Sequence, residues 1–286
     1  MSVVGVAGAG FMGSGIAQAA AAAGKRVLLY EPDEGPLQRS RAALAEALER
    51  AVSRGRLERS QADATTERIS YTTNIEDLAP ASALIEAVVE DLGVKRELFA
   101  RLDAAAPDAA FLASNTSSIP IGELAAATTR PERVLGVHFF SPVPVMKLVE
   151  IVVALETAPA AIAAAETFAA ELDKQPIRAR DRAGFIVNML LVPYLTAAVR
   201  MYEQGFASRE DIDTGMTLGC GHPMGPLTLC DFIGLDVVAA ICDSLHAEFR
   251  QAEYAPPPLL SRMVAAGQLG RKSGRGFYDY PAQAPA

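Results

Sequence analysis

The chain has 286 residues, half of them hydrophobic, with 26 Lys and Arg against 34 Asp and Glu, a formal charge of −8. That length buries a substantial core and suits two domains, while the acidic balance argues against nucleic acid or an anionic membrane as the main partner. Cys220, Cys230 and Cys242 form no Cys-x-x-Cys pair, which argues against a disulfide framework or a zinc site; with no basic leader and no apolar run of bilayer length, a cytoplasmic protein is expected.

The first organised signal stands at the start. Residues 3–7 form a short β-type run, followed by Gly8-Ala-Gly10-Phe11-Met12-Gly13-Ser-Gly15 and an Ala-rich helical stretch that Gly24 stops. Residues 26–30 read as a second buried strand with Glu31 at its end. Strand, G-x-G-x-x-G, helix, strand and acid in one unit are the pattern of a dinucleotide site. Gly8 permits the tight turn, Gly10 lets the backbone approach a pyrophosphate, and Gly13 lets the helix pack on the strand. The helix N-terminus offers its N–H groups to the phosphates. Glu31 can accept hydrogen bonds from ribose hydroxyls and would repel a 2′-phosphate, so NAD is the expected cofactor. A merely flexible glycine turn would not explain that acid.

Residues 36–69 read as two antiparallel helices joined near Gly55, an insertion long for a plain βαβ unit. Arg50, Arg54 and Arg56 near the turn are either a solvated face or contacts for phosphates of a large anionic substrate. Strands are expected at 69–72 and 83–88. A helix opens at Glu90-Asp-Leu-Gly-Val-Lys95 and runs to residue 102, and 110–113 is a further buried strand. It ends in Ser114-Asn-Thr-Ser117-Ser118, polar groups placed to touch cofactor or substrate, or to cap a turn, or both. The strand at 133–138 ends on His138. The next, at 146–153 and expected antiparallel, carries Glu150. A histidine exchanges protons near neutral pH, and a carboxylate can hold its tautomer, so the two are a candidate acid–base pair. The prolines between them force a turning path. A helix at 158–172 and a strand at 176–180 follow.

From residue 185 onward only helices are expected, at 185–202, 208–218, 227–249 and 258–266. The reading is therefore α/β: a Rossmann-type doubly wound sheet over residues 1–182, and an all-helical substrate and dimerisation domain over 183–286. Asn188 interrupts the apolar run Phe185-Ile-Val-Asn-Met-Leu-Leu-Val192, as a satisfied core group or as a ligand contact. His222 reads as a turn residue, His246 as helix surface, and the Pro/Ala end as disordered.

Five motifs now agree in order and spacing: Gly8-Ala-Gly-Phe-Met-Gly-Ser-Gly-Ile-Ala17, Glu86-Ala-Val-Val-Glu-Asp-Leu92, Ser114-Asn-Thr-Ser-Ser118, the His138 to Glu150 segment, and Gly184-Phe-Ile-Val-Asn188. With them the chain resembles the short-chain L-3-hydroxyacyl-CoA dehydrogenases, including the bacterial 3-hydroxybutyryl-CoA dehydrogenases. The resemblance implies that His138 is the catalytic base, Glu150 its partner, and Ser117 and Asn188 the substrate-contacting polar groups. It also implies NAD contacts at Gly8, Gly10, Phe11, Met12, Gly13, Glu31, Glu90, Lys95, Ser117, Ser141 and Lys272, an acyl-CoA substrate touched by Arg54, and a homodimer through the helical domain. Ser141 departs from the family's usual Asn, which bears on one cofactor contact, and Ala47 stands where the family has a CoA-contacting serine. The alternatives are a dehydrogenase of a non-CoA hydroxy acid and a non-catalytic NAD(H)-binding protein.

Overall fold

A glycine turn joins the first strand to the first helix, and the sheet grows outward from there. The computed structural model of the chain describes residues 2–281, so most of the Pro/Ala end lies outside the described residues. Strand β1 (Val3–Ala7) and strand β2 (Arg26–Tyr30) pair in parallel across helix α1 (Phe11–Ala22). Ile16, Ala17, Ala20 and Ala21 of α1 are buried, and the small alanine side chains let the helix lie close on the sheet. Gly24, at φ +83°, ends that helix.

Helices α2 (Glu34–Ser53) and α3 (Arg59–Glu67) form the insertion. Leu37, Leu44 and Leu48 make one buried stripe on α2, and Glu58 with Gln61 forms a capping box on α3. Then come β3 (Ile69–Thr72), β4 (Ala83–Glu86), α4 (Leu92–Ala105), β5 (Leu112–Ser114) and the short α5 (Ile121–Ala125). Strand β6 (Val134–Phe139), β7 (Leu148–Val153), α6 (Pro159–Glu171) and β8 (Gln175–Arg180) complete the unit. The sheet order is β3-β2-β1-β4-β5-β6-β7-β8. Pairs from β3 to β6 are parallel, β6 and β7 are antiparallel, and β7 and β8 are parallel again. The order reverses between β1 and β4, the switch point at which such sheets bind ligands beyond the strands' carboxyl ends. Strand β4 stops at Glu86, two residues short of the expected end, because the Val88 N–H turns to the Glu86 carboxylate at 2.6 Å.

Contacts divide the chain after Arg182. The second unit holds α7 (Val187–Glu203), α8 (Arg209–Cys220), α9 (Pro226–Ile233), α10 (Leu235–Phe249) and α11 (Pro258–Ala265). Its core is built on Leu195, Val199, Leu227, Leu235, Val238 and Leu245. The single helix expected over 227–249 is two. Gly234 sits between α9 and α10 at φ +104°, a conformation that L side chains rarely adopt. Apolar spacing continues through the break and conceals it. Asp213 caps α9 by accepting the Leu227 and Thr228 N–H groups at 2.8 and 2.9 Å. Asp231 accepts those of Phe277 and Tyr278, both at 2.9 Å, and so ties down the end of the chain. Among the described residues no helix is long and apolar enough to cross a membrane.

Candidate active site

The glycine loop is dictated by close approach. Gly8 adopts φ +110°, and a Cβ there would lie 2.5 Å from the Ala87 carbonyl oxygen. A Cβ on Gly13 would lie 1.8 Å from the Gly8 carbonyl oxygen, so no other residue lets α1 begin here. Gly10 differs: a Cβ would meet no protein atom within 4 Å. It leaves open space beside the loop. Helix α1 has no side-chain cap, and its first N–H groups face this opening. Glu31, beyond the end of β2, accepts the Ala9 N–H at 3.0 Å and is thereby fixed at the loop. Phe11 is exposed at the helix start, and Met12 packs partly on the core. An open Gly10, a bare helix N-terminus and an adjacent carboxylate fit NAD.

A second cluster lies past β4 and β5. Glu86 and Lys95 are fully buried and paired at 2.6 Å. Ser114 donates to the other Glu86 oxygen at 2.7 Å. Lys95 also reaches Glu90 at 3.3 Å. Glu90 in turn accepts the Ser117 N–H at 3.2 Å, the Ser118 hydroxyl at 3.0 Å and the Thr116 hydroxyl. Burial opposes ionisation of Glu90, but the Lys95 charge and the Thr116 and Ser118 hydroxyls outweigh it and hold the carboxyl below the usual range. Thr116 accepts the Ser118 and Ile119 N–H groups, and Asn115 accepts that of Phe139 at 2.9 Å. Much of the Ser/Thr/Asn run therefore builds the loop that presents Ser117, which is itself half-buried.

His138 and Glu150 face one another directly in the antiparallel β6–β7 register. Cross-strand partners point to the same side of the sheet, so twelve residues of separation become one contact. His138 Nδ1 lies 2.7 Å from Glu150 Oε2. Glu150 is 0% exposed and His138 7%, and the Phe140 ring lies tilted at 57° to the imidazole with ring centroids 4.7 Å apart. Charge-assisted bonding in so dry a place is strong. Ser141, exposed, leaves this strand through a cis peptide to Pro142.

Lys95 is buried beneath Glu86 and Glu90 instead of being presented at the surface. Arg54, exposed, caps the C-terminus of α2. In the second unit, Asn188 is buried in the first turn of α7, and exposed Lys272 pairs with Asp236 at 2.6 Å. His222 meets the Tyr194 hydroxyl at 3.1 Å, and His246 the Gln251 carbonyl at 3.0 Å. Glu86, Ser114 and Asn115 were not singled out by sequence as organisers. The signal was there for Glu86: a lone acid closing the apolar run Ala83-Leu-Ile-Glu86, with a lysine nine residues on. Among the described residues no group of side chains could hold a metal ion.

Comparison with known proteins agrees with this geometry. Residues 3–182 match the family model "3-hydroxyacyl-CoA dehydrogenase, NAD binding domain", and residues 184–280 match that family's C-terminal domain. The chain is 54% identical to the 3-hydroxybutyryl-CoA dehydrogenase of Mycobacterium tuberculosis, over 97% of this chain and 98% of the relative. It is 44% identical to the mitochondrial hydroxyacyl-coenzyme A dehydrogenase of Sus scrofa, over 96% and 90%. Among solved structures, (S)-3-hydroxybutyryl-CoA dehydrogenase PaaH1 from Ralstonia eutropha superposes with a TM-score of 0.93 at 41% identity, covering 99% of this chain and 100% of that one. Sheet order, glycine loop and sequence thus converge, and the chain belongs to the 3-hydroxyacyl-CoA dehydrogenase family.

Proposed function

We propose that this protein oxidises (S)-3-hydroxyacyl-CoA to 3-ketoacyl-CoA, and catalyses the reverse, with His138 and Glu150 as its acid–base pair and a short acyl chain such as 3-hydroxybutyryl as substrate. The observation that carries the acid–base reading is the buried 2.7 Å contact between His138 Nδ1 and Glu150 Oε2. Glu150 accepts the Nδ1 proton, which fixes the tautomer in which Nε2 is the basic nitrogen. As the C3 carbinol is oxidised, its hydroxyl proton passes to Nε2, and Glu150 stabilises the resulting imidazolium. In reduction the same nitrogen returns the proton. Such general acid–base catalysis supplies about 10²- to 10⁴-fold in rate.

NAD, held by the Gly8–Gly13 loop and Glu31, supplies the hydride acceptor or donor. Ser117 and Asn188 are assigned hydrogen bonds to the substrate oxygens, with Glu90 and Lys95 fixing the loop that carries Ser117. Arg54, on the hairpin, is assigned to the CoA phosphates. A homodimer through the helical unit belongs to the same reading, supported by the exposed Leu190, Phe206 and Leu218. The short chain rests on the relatives' names. The test is a kcat/KM series over C4 to C16 3-ketoacyl-CoAs, with free hydroxy and keto acids alongside. Activity should be highest on short CoA thioesters. Activity on free acids alone would sink the thioester assignment, and a preference for C16 would sink the short-chain one.

A further inference from the structure

Lys174 takes no part in the chemistry above, yet its place is unusual for a lysine. It stands in the turn between α6 and β8 and is only 7% exposed. Its ammonium donates to two backbone carbonyls, Val143 at 2.6 Å and Met146 at 2.7 Å. Both belong to the connection that joins the strand of His138 to the strand of Glu150. The flanking residues hold the same connection. Asp173 pairs with the Lys147 ammonium, and the Gln175 N–H donates to the Lys147 carbonyl at 2.6 Å.

The other side of the connection is also fixed. Val143 is 3% exposed, and a methyl on Gly15 of α1 would come within 3.1 Å of its Cβ. The connection is thus held between the helix that follows the glycine loop and the 173–175 turn. Burying an ammonium is costly unless its hydrogen bonds are made, so an apolar side chain would serve packing alone better. Burial, with the positive Lys147 nearby, holds the Lys174 ammonium below the ordinary lysine range.

We propose that Lys174 is a positioning residue for proton transfer: by fixing the Val143 and Met146 carbonyls it sets how His138 meets Glu150 and holds that pair in a fixed relation to α1. The inference rests on the acid–base reading of His138. Displacing reacting groups by about 1 Å can cost on the order of 10²-fold in rate.

The test compares Lys174→Met, Lys174→Arg, His138→Gln and the parent, each as the whole protein, on 3-ketobutyryl-CoA. The readouts are kcat, KM, NADH affinity, melting temperature, and the isotope effect with NADH deuterated at the transferred hydrogen. For Lys174→Met, kcat should fall roughly ten- to a hundredfold, with KM and NADH affinity within about twofold and a larger isotope effect than the parent. Lys174→Arg should lie between parent and Lys174→Met in both kcat and isotope effect, which keeps the test decisive if the methionine variant does not fold. A parental kcat and isotope effect would overturn the inference while His138→Gln stays inactive. So would a loss of kcat matched by an equal loss of NADH-binding protein. Full turnover in His138→Gln would overturn the acid–base reading, and this inference with it.

Discussion

Glu150 is fully buried and lies 2.7 Å from His138 Nδ1, and in the proposed mechanism this contact selects the tautomer. Glu150→Gln keeps the shape but offers an amide that can present N–H to Nδ1, favouring the wrong tautomer. The variant should lose about 10²-fold or more in kcat with NADH binding intact, checked by steady-state kinetics and fluorescence titration. The glycine loop offers a contrast within five residues. Gly10→Ala adds a Cβ that meets no protein atom, so the melting temperature should hold, yet NADH should bind roughly tenfold more weakly, about 1.4 kcal/mol. Gly13→Ala drives a Cβ into the Gly8 carbonyl, so stability itself should fall. An unchanged NADH affinity in Gly10→Ala would remove the phosphates from that spot. The His138–Glu150 contact and the glycine turn were legible in sequence, because expected antiparallel strands and the G-x-G-x-x-G spacing already implied both geometries. The roles of Ser114 and Asn115 were not, because their partners Glu86 and Phe139 lie one strand-helix-strand crossover away and only the folded sheet brings them together.

The carboxyl end of β4 is organised by the Glu86–Lys95 pair, which locks that strand to α4. Lys95→Met would leave a buried uncompensated carboxylate, and chemical denaturation should record a loss of about 3–5 kcal/mol. Adding Glu86→Gln should recover part of it; strict additivity of the two losses would contradict the coupling. Helix α4 is tied to the segment after α5 by Asp103, which accepts the Thr129 N–H at 2.8 Å and hydroxyl at 2.6 Å and pairs with Arg130. Burial opposes its ionisation, but the Thr129 and Arg130 bonds prevail and hold it below the ordinary carboxylate range. The folded state then gives up this proton more readily than the unfolded chain. Its stabilisation is therefore complete above the unfolded value of about 4 and is lost as pH falls through the lower folded value. Asp103→Asn should melt lower at pH 7 by roughly 1–3 kcal/mol and lose less than the parent on acidification below about pH 4. Melts across that range check both. Elements were read from periodicity, which located the strands to within two residues but passed over Gly234, where apolar spacing runs on through a backbone break.

For the molecule as a whole, the change from strand-and-helix pattern to helix pattern was visible in sequence, and the contact boundary falls after Arg182. What sequence could not give is which polar side chains hold the site together, as with Lys95, whose charge is bound internally by Glu86 and Glu90. Local pattern names the elements, and only the three-dimensional pairing of their ends decides which groups are presented. The central claim is that one buried His–Glu pair moves the proton in an NAD-dependent oxidation. It is tested most directly by single-turnover reduction of 3-ketobutyryl-CoA by the His138→Gln variant preloaded with NADH. The predicted result is NADH binding as in the parent and NADH oxidation slower by about 10²- to 10⁴-fold. NADH oxidation at the parental rate would contradict the account.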